Sequence, residues 1–224
     1  MALTQTDKHF WGPVQEVTDY LCNVVIRPDE FVLDIGPGHS PLPRANASVD
    51  FVDVPGLEVI KCDLATERLP YADKEVDFVY ARHILEDMYN PFHLIKEMSR
   101  VAKRGYLEIP SPMAEIGRGV DGGAPPFRGY HHHRWIGWTF GKEIRFISKY
   151  AYLEYCRFDE MEIENLLKVE RYWNTFYLWS DEILVNHIQA PLNYVIPRDY
   201  AVILAQAVER SKESTDIFFS QITK

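Results

Sequence analysis

The chain has 224 residues (26.1 kDa), 46% hydrophobic and 13% aromatic, which suffices for one folded domain with a sizeable core. Its formal charge of −9 and pI near 5.4 exclude the overall basic footprint that phosphate backbones attract, so no nucleic-acid partner is expected. Cys22, Cys62 and Cys156 are odd in number and lack a CxxC pair, which argues against both a disulfide framework and a thiolate zinc site.

The N-terminal stretch MALTQTDKHFWGP has no basic start followed by an apolar core, and no apolar run approaches the ~20 residues of a membrane span. The expectation is therefore a cytoplasmic protein with no membrane partner. Val14, Val17, Leu21, Val24 and Val25 recur at helical spacing until Pro28 ends the pattern. Short apolar runs follow: FVLDI at 31–35, VDFVDV at 49–54, EVIKC at 58–62, VDFVYA at 76–81 and YLEIP at 106–110. They suit strands buried on both faces. Between the last two, Asn90 and Pro91 can open a helix with Leu94, Ile95, Met98 and Val101 as its apolar stripe; Arg100, Lys103 and Arg104 suit its C-terminal end, and Gly105 turns the chain into the next strand. Strand, helix, strand in this order implies parallel crossovers and an open α/β sheet, in which ligands sit beyond the carboxyl ends of the strands.

That rule draws attention to Asp34-Ile35-Gly36-Pro37-Gly38, at the end of the first strand, where glycine lets a ligand approach the backbone. Asp53 follows at the expected end of the second strand, Asp63 after the third and Ala81-Arg82-His83 after the fourth. Either Asp53 or Asp63 alone also reads as a turn cap. The ordered series of four polar strand ends is the stronger signal.

On these residues the sequence resembles the class I S-adenosylmethionine-dependent methyltransferases of the type 11 kind over roughly residues 30–110. LDIGPG at 33–38 is similar to the family's glycine-rich motif, and CDLATERLPYADKEVDFVYARHILEDM to its stretch from the adenine-side aspartate through the fourth strand. The resemblance implies S-adenosylmethionine as cofactor, with Asp34, Gly36, Pro37 and Gly38 as the cradle, Asp53 with Val54 at the ribose, Asp63 with Leu64 at the adenine, and Ala81, Arg82 and His83 at the methionine end. It also implies a Rossmann-like α/β fold: a seven-stranded, mostly parallel sheet with helices on both faces and the last strand antiparallel. One domain is expected over 1–224, with an N-terminal helical segment (1–29), a cofactor core (30–110), a lid and hairpin (111–150) inserted after strand 5, and a C-terminal completion of the sheet (151–224).

Gly36-Pro37-Gly38-His39-Ser40-Pro41 lacks a third glycine, and only about ten residues separate Gly38 from the second strand, fewer than a crossover helix needs. The first crossover should be abbreviated, as in a subgroup whose Gly-His-Asn/Ser-Pro-x-Pro-Arg-Ala loop it resembles, with Ser40 and Arg44 as substitute contacts for the methionine carboxylate. The missing glycine and helix start also disfavour the rival reading, a dehydrogenase binding a nicotinamide dinucleotide.

PSPMAEIGRGVDGGAPPFRGY at 110–130 reads as a long loop of the kind that forms lids, followed by HHHRWIGW. His133-Arg134-Trp135 resembles a His-Arg-Trp of the same subgroup. If this tract is extended, His131 and His133 share a face opposite His132, and RWIGWTFGKEIRFISKY folds as a hairpin turning at Gly141-Lys142. Three adjacent histidines cannot all face one ion, so no metal is expected. Methyl transfer needs chiefly alignment and exclusion of water, and a hydroxyl acceptor gains from a base of near-neutral pKa, which makes His83 and His133 the catalytic candidates.

FDEMEIENLLKVE at 158–170 has helical spacing, and RYWNTFYLWSDEILVNHI at 171–188 has strand character, with Tyr172, Trp173, Tyr177 and Trp179 reading as core. YAVILAQAV at 200–208 fits either a last strand or a buried helix. The reading is methyl transfer to an oxygen or nitrogen nucleophile of a small molecule, a sugar or other metabolite. The alternative is a methyltransferase-like binding or assembly module without turnover. The aromatic content leaves a homo-oligomer open.

Overall fold

In the computed structural model, which describes residues 12–121, 127–189 and 197–222, the apolar runs of the N-terminal half become strands with shifted ends. Helix α1 (Gln15–Tyr20) continues into a π-helical turn at Leu21–Val25; the turn leaves Val17 and Leu21 buried but Val24 exposed. Then come β1 (Val32–Ile35), β2 (Ala47–Asp50), β3 (Ile60–Lys61), β4 (Val76–Arg82), α2 (Pro91–Val101) and β5 (Ala102–Pro110). Beyond these lie α3 (Pro112–Ile116), β6 (Trp135–Phe140), β7 (Glu143–Ser148), α4 (Glu160–Leu166), β8 (Asn174–Ser180), β9 (Val185–Ile188) and α5 (Pro197–Ile222).

The chain divides into two compact units. The first holds residues 13–109 and 176–184; the second holds the described parts of 110–175 and 185–224, with Gly12. The main sheet has the order β3-β2-β1-β4-β5-β8, and the pairs β2/β3, β1/β2, β1/β4 and β4/β5 are parallel. Every residue of β1 is buried, as parallel strands covered on both faces must be. Leu94, Ile95, Met98 and Val101 form the buried stripe of α2, which Pro91 opens without a side-chain cap from Asn90. The helix passes straight into β5. Gly105 thus lies inside the strand, opposite Val79, and not at a turn: a Cβ there would meet the Val79 carbonyl oxygen at 2.5 Å and the Trp179 ring at 2.8 Å.

Among the described residues the main sheet has six strands, not the expected seven. The run at 200–208 is part of α5, because burial at Tyr200, Leu204, Ala207, Val208, Ser211 and Thr215 keeps helical period well past the apolar run. The other C-terminal strands form a separate sheet, β6-β7-β9, whose β6/β7 hairpin turns at Gly141-Lys142 as expected. Part of the expected loop at 110–130 is helical: Ser111 caps α3, its Oγ accepting from the Ala114 amide at 3.2 Å, and Pro112 starts it. The residues 122–126 of that loop lie outside the described residues. Met113, Ile116, Trp138, Ile147, Ile163, Leu167, Trp173 and Leu204 share one core in the second unit, and Asp159 caps α4 by accepting from the Glu162 amide.

Gly105→Ala should destabilise the protein by about 1–3 kcal/mol through overpacking against Val79 and Trp179, read as a lowered midpoint in urea unfolding; an unchanged midpoint would contradict this packing.

Candidate functional site

Because β1 to β4 run parallel, their carboxyl ends share one edge of the first unit. Gly36 leaves β1 at φ +66°, its amide donating to the Val49 carbonyl at 2.9 Å, and Gly38 follows at φ +50°. The two glycines serve different ends. A Cβ on Gly36 would meet Ile84 Cδ1 at 2.5 Å, so this glycine admits the segment after β4; Gly38 has nothing within 4 Å of the Cβ position and so offers open space beside bare backbone. Pro37 is buried and accepts the Ser40 amide at 3.1 Å in the turn between them.

Asp34 is the buried acid of this edge. Its Oδ2 accepts from the Leu42 amide at 2.8 Å, while Oδ1 has no hydrogen-bond partner among the described residues. Burial pushes its carboxyl up to about 7 against the opposing Leu42 hydrogen bond, with the Asp50 charge adding to the rise.

The second strand ends at Asp50, three residues before the expected Asp53. Asp50 is half-buried and accepts from the Val52 amide at 3.1 Å, and the next two side chains, Phe51 and Val52, are exposed by 68% and 55%. Asp53 lies in the turn beyond, 92% exposed and paired with Lys61 at 2.7 Å; Val54 bridges to Leu57. Asp50 therefore holds the strand-end position that the sequence reading gave to Asp53. The alternating VDFVDV pattern hid this, since the strand pairs with β1 only as far as Val49 opposite Ile35. Asp63 accepts from the Ala65 amide at 3.0 Å and the Thr66 hydroxyl at 2.6 Å, and these bonds hold its carboxyl below the usual range; Leu64 is buried beside it. Arg44 is not a carboxylate ligand in waiting: its guanidinium donates to the carbonyls of Arg27, Pro28 and Glu30 and to Asn46.

At the end of β4 Ala81 is buried, and His83, just past the strand, adopts φ +51°, a left-handed backbone that non-glycine residues seldom take. Arg82 Nε donates to Glu108 Oε1 at 2.9 Å, and the Tyr106 hydroxyl donates to Glu108 Oε2 at 2.6 Å. His83 Nδ1 lies 3.2 Å from Glu86 and Nε2 3.6 Å from Glu108. Burial alone would lower the imidazole pKa, but Glu108 and Glu86 override it and raise it. Burial would likewise raise Glu108, and His83 and Arg82 hold it low instead. His83 thus lies between two carboxylates that favour its charged form. The sequence reading missed both acids, and only their convergence in space identifies them.

The second unit carries the other polar centre. His131 to Arg134 are not a strand, so the histidines do not alternate: His133 is buried, and its ring lies 4.5 Å from those of both Tyr130 and His132. Its Nδ1 is 2.5 Å from Glu115 Oε1, and Lys149 Nζ donates to Glu115 Oε2 at 2.6 Å and to the Tyr130 carbonyl at 2.7 Å. Trp138 belongs to the core and Trp135 packs edge-on against His187 at 5.1 Å. Glu115 also escaped the sequence reading, although a lone acid inside the apolar PMAEI run after a Ser-Pro helix start was its available signal.

The first unit fits S-adenosylmethionine on three counts: bare backbone at Gly38, a strand-end carboxylate at Asp50 with exposed apolar surface next to it, and an unsatisfied buried oxygen on Asp34. The family model described as a methyltransferase domain matches residues 17–107. No curated protein matches the chain. Among solved structures it is similar to an S-adenosylmethionine-dependent methyltransferase from Aquifex aeolicus (20% identity, TM-score 0.31, 37% of this chain and 57% of that one). It is also similar to one from Mesorhizobium loti (13%, 0.35, 59% and 64%) and to the [4+2]-cyclase SpnF (19%, 0.37, 51% and 52%). The chain thus spans between about half and just under two thirds of the length of these structures. The match over residues 17–107 supports a methyltransferase domain of the class I S-adenosylmethionine-dependent kind, and with it S-adenosylmethionine as the cofactor.

Proposed function

We propose that the protein transfers a methyl group from S-adenosylmethionine to an oxygen or nitrogen nucleophile of a small molecule. The observation that carries the cofactor part is Asp50 at the end of β2 with Phe51 and Val52 exposed after it. A strand-end carboxylate can accept from two vicinal ribose hydroxyls, and apolar side chains left in water beside it offer a purine a surface to cover. The bound sulfonium would supply an activated methyl and a neutral leaving group. The chain's part is alignment and exclusion of water.

In this reading Asp50 replaces Asp53 as the ribose ligand, Gly36, Pro37 and Gly38 keep the backbone cradle, and Asp63 with Leu64 keeps the adenine end. Ala81, Arg82 and His83 keep the methionine end. His83, whose pKa Glu108 and Glu86 raise, is assigned to positioning and not to proton removal. His133 is the candidate base.

Calorimetric titration with S-adenosylmethionine and S-adenosylhomocysteine tests the cofactor assignment. Asp50→Ala should weaken binding about 10- to 100-fold, the loss of one or two hydrogen bonds to a charged acceptor, while Asp53→Ala stays within about threefold of wild type. Equal losses in both, or no binding by wild type, would sink it.

Asp34 makes a second test. With its folded pKa raised to about 7 from an ordinary 3.8, its stabilising contribution is complete below about pH 4 and is lost as pH rises through 7. The stability of Asp34→Asn minus that of wild type should therefore grow by up to a few kcal/mol from pH 4 to pH 8, read by urea unfolding without cofactor. A difference that stays flat with pH would show that Asp34 is not the buried acid described.

A further inference from the structure

Among the described residues of the first unit, the buried side-chain polar atoms without a hydrogen-bond partner are Asp34 Oδ1, His83 Nε2, both carboxyl oxygens of Glu86 and Trp179 Nε1. All but the last stand at or just past the carboxyl ends of β1 and β4. His83 lies between Glu86 at 3.2 Å and Glu108 at 3.6 Å, so that group of orphans has opposite charge beside it. Asp34 has no ion pair among the described residues: Oδ2 accepts from the Leu42 amide at 2.8 Å, and Oδ1 is left over. A buried polar atom left over in this way points to a ligand or to a neutral form of the group.

The surroundings of Asp34 favour the neutral form. On β1 it stands opposite Ser48 of β2 and Tyr80 of β4. The charged and titratable groups that bear on it are Asp50 of β2, which opposes its charge, and Arg82 and Tyr80 of β4; Arg82 favours its charge but is itself paired with Glu108 at 2.9 Å. Burial is the leading cause, and it pushes the carboxyl up to about 7, so that below neutral pH Asp34 is an acid with its proton on the free oxygen. The neutral carboxyl still accepts the Leu42 amide on Oδ2, which keeps the short crossover closed in both states.

We propose that Asp34 is a proton switch for the cofactor edge: protonated in the free protein, it ionises when S-adenosylmethionine, a sulfonium that also carries an ammonium, binds at the Gly36-Pro37-Gly38 turn, so that binding expels a proton. The inference rests on the cofactor reading above. Gly36 is two residues from Asp34, and an opposite charge within about 4–6 Å lowers a carboxyl pKa by about 1–3 without touching it. The O–H bond at Oδ1 breaks, its proton goes to solvent, and the carboxylate left behind balances positive charge on the ligand. The ionised form is the one that the complex favours. Affinity is therefore complete above pH 7 and falls as pH drops through 7, by up to about tenfold per pH unit.

The experiment is calorimetric titration of the full chain with S-adenosylmethionine at pH 6 and pH 7, in pairs of buffers with unlike heats of ionisation, which counts the protons exchanged. Wild type should release close to one proton at pH 6 and about half of one at pH 7, while its affinity tightens about fivefold between the two. Asp34→Asn should lack this component, although it shares any contribution from His39, His83 or the ligand's own amine. Should the variant misfold or bind too weakly to titrate, the Asp34 Cγ resonance of 13C-labelled wild type at pH 6 should move from its acid to its carboxylate position on saturation. Proton release that survives in Asp34→Asn, tight binding without release, or a Cγ already at the carboxylate position in the free protein would overturn the switch and leave the cofactor reading standing. Absence of binding by wild type would overturn the cofactor reading and the switch with it.

Discussion

The first unit depends on closing a parallel β1-to-β2 connection without a helix. Residues 36–46 contain none, so the backbone groups that a helix would have paired within itself need other partners. Asp34 supplies the central one by accepting the Leu42 amide. Around it Gly36 donates to Val49, Ala45 to Leu42 and Asn46 to Val32, while the Asn46 side chain accepts the Val32 amide in return. Arg44 closes the far side by donating to three carbonyls of the 27–30 segment. A buried carboxylate has taken over work usually spread along a helix.

That substitution shapes the candidate site. Asp34 must be buried to reach Leu42, and burial with one oxygen unsatisfied makes it the most proton-retentive carboxyl at the edge. The short crossover leaves Gly38 with open space around it, and Gly36 lets Ile84 close in from the segment after β4. On the other side of β1 the same edge carries a second buried charge cluster, Arg82, His83, Glu86 and Glu108, in which each charge has an opposite neighbour and the His83 backbone is held in a left-handed conformation. Asp34 is scaffold and candidate ligand group at once, so a substitution there acts on stability whatever it does to binding.

The second unit solves a similar problem with different parts. Its core is aromatic and aliphatic, and it holds two buried charged sets: Glu115 with His133 and Lys149, and Arg128, whose Nη1 and Nη2 meet the carbonyls of Ile116 and Cys156 and the Glu160 carboxylate while its Nε has no hydrogen-bond partner among the described residues. Arg128 also lies over the Phe158 ring at 4.9 Å, which offsets part of the cost of burying a guanidinium. Such sets tie down the 127–133 segment, which begins in the 110–130 tract that by composition alone reads as a loose glycine- and proline-rich loop.

The sequence by itself determined the parallel α/β core, the glycine-bearing turn after β1, the abbreviated crossover and the 141–142 hairpin turn. Each rests on local signals: apolar runs, proline and glycine placement, and spacing too short for a helix. The family match over 17–107 covers the first three of these and not the hairpin. Only the tertiary structure decided that β2 stops at Asp50, because a strand's end is set by where its partner runs out and not by its own alternation. The same holds for the six-strand count, since the small buried residues Ser211 and Thr215 disguise the helical stripe of α5. It holds above all for the acids. Glu86 and Glu108 at His83, and Glu115 at His133, lie 3, 25 and 18 positions from their histidines, and what they do there depends on burial and on which cation shares them, neither of which sequence spacing encodes.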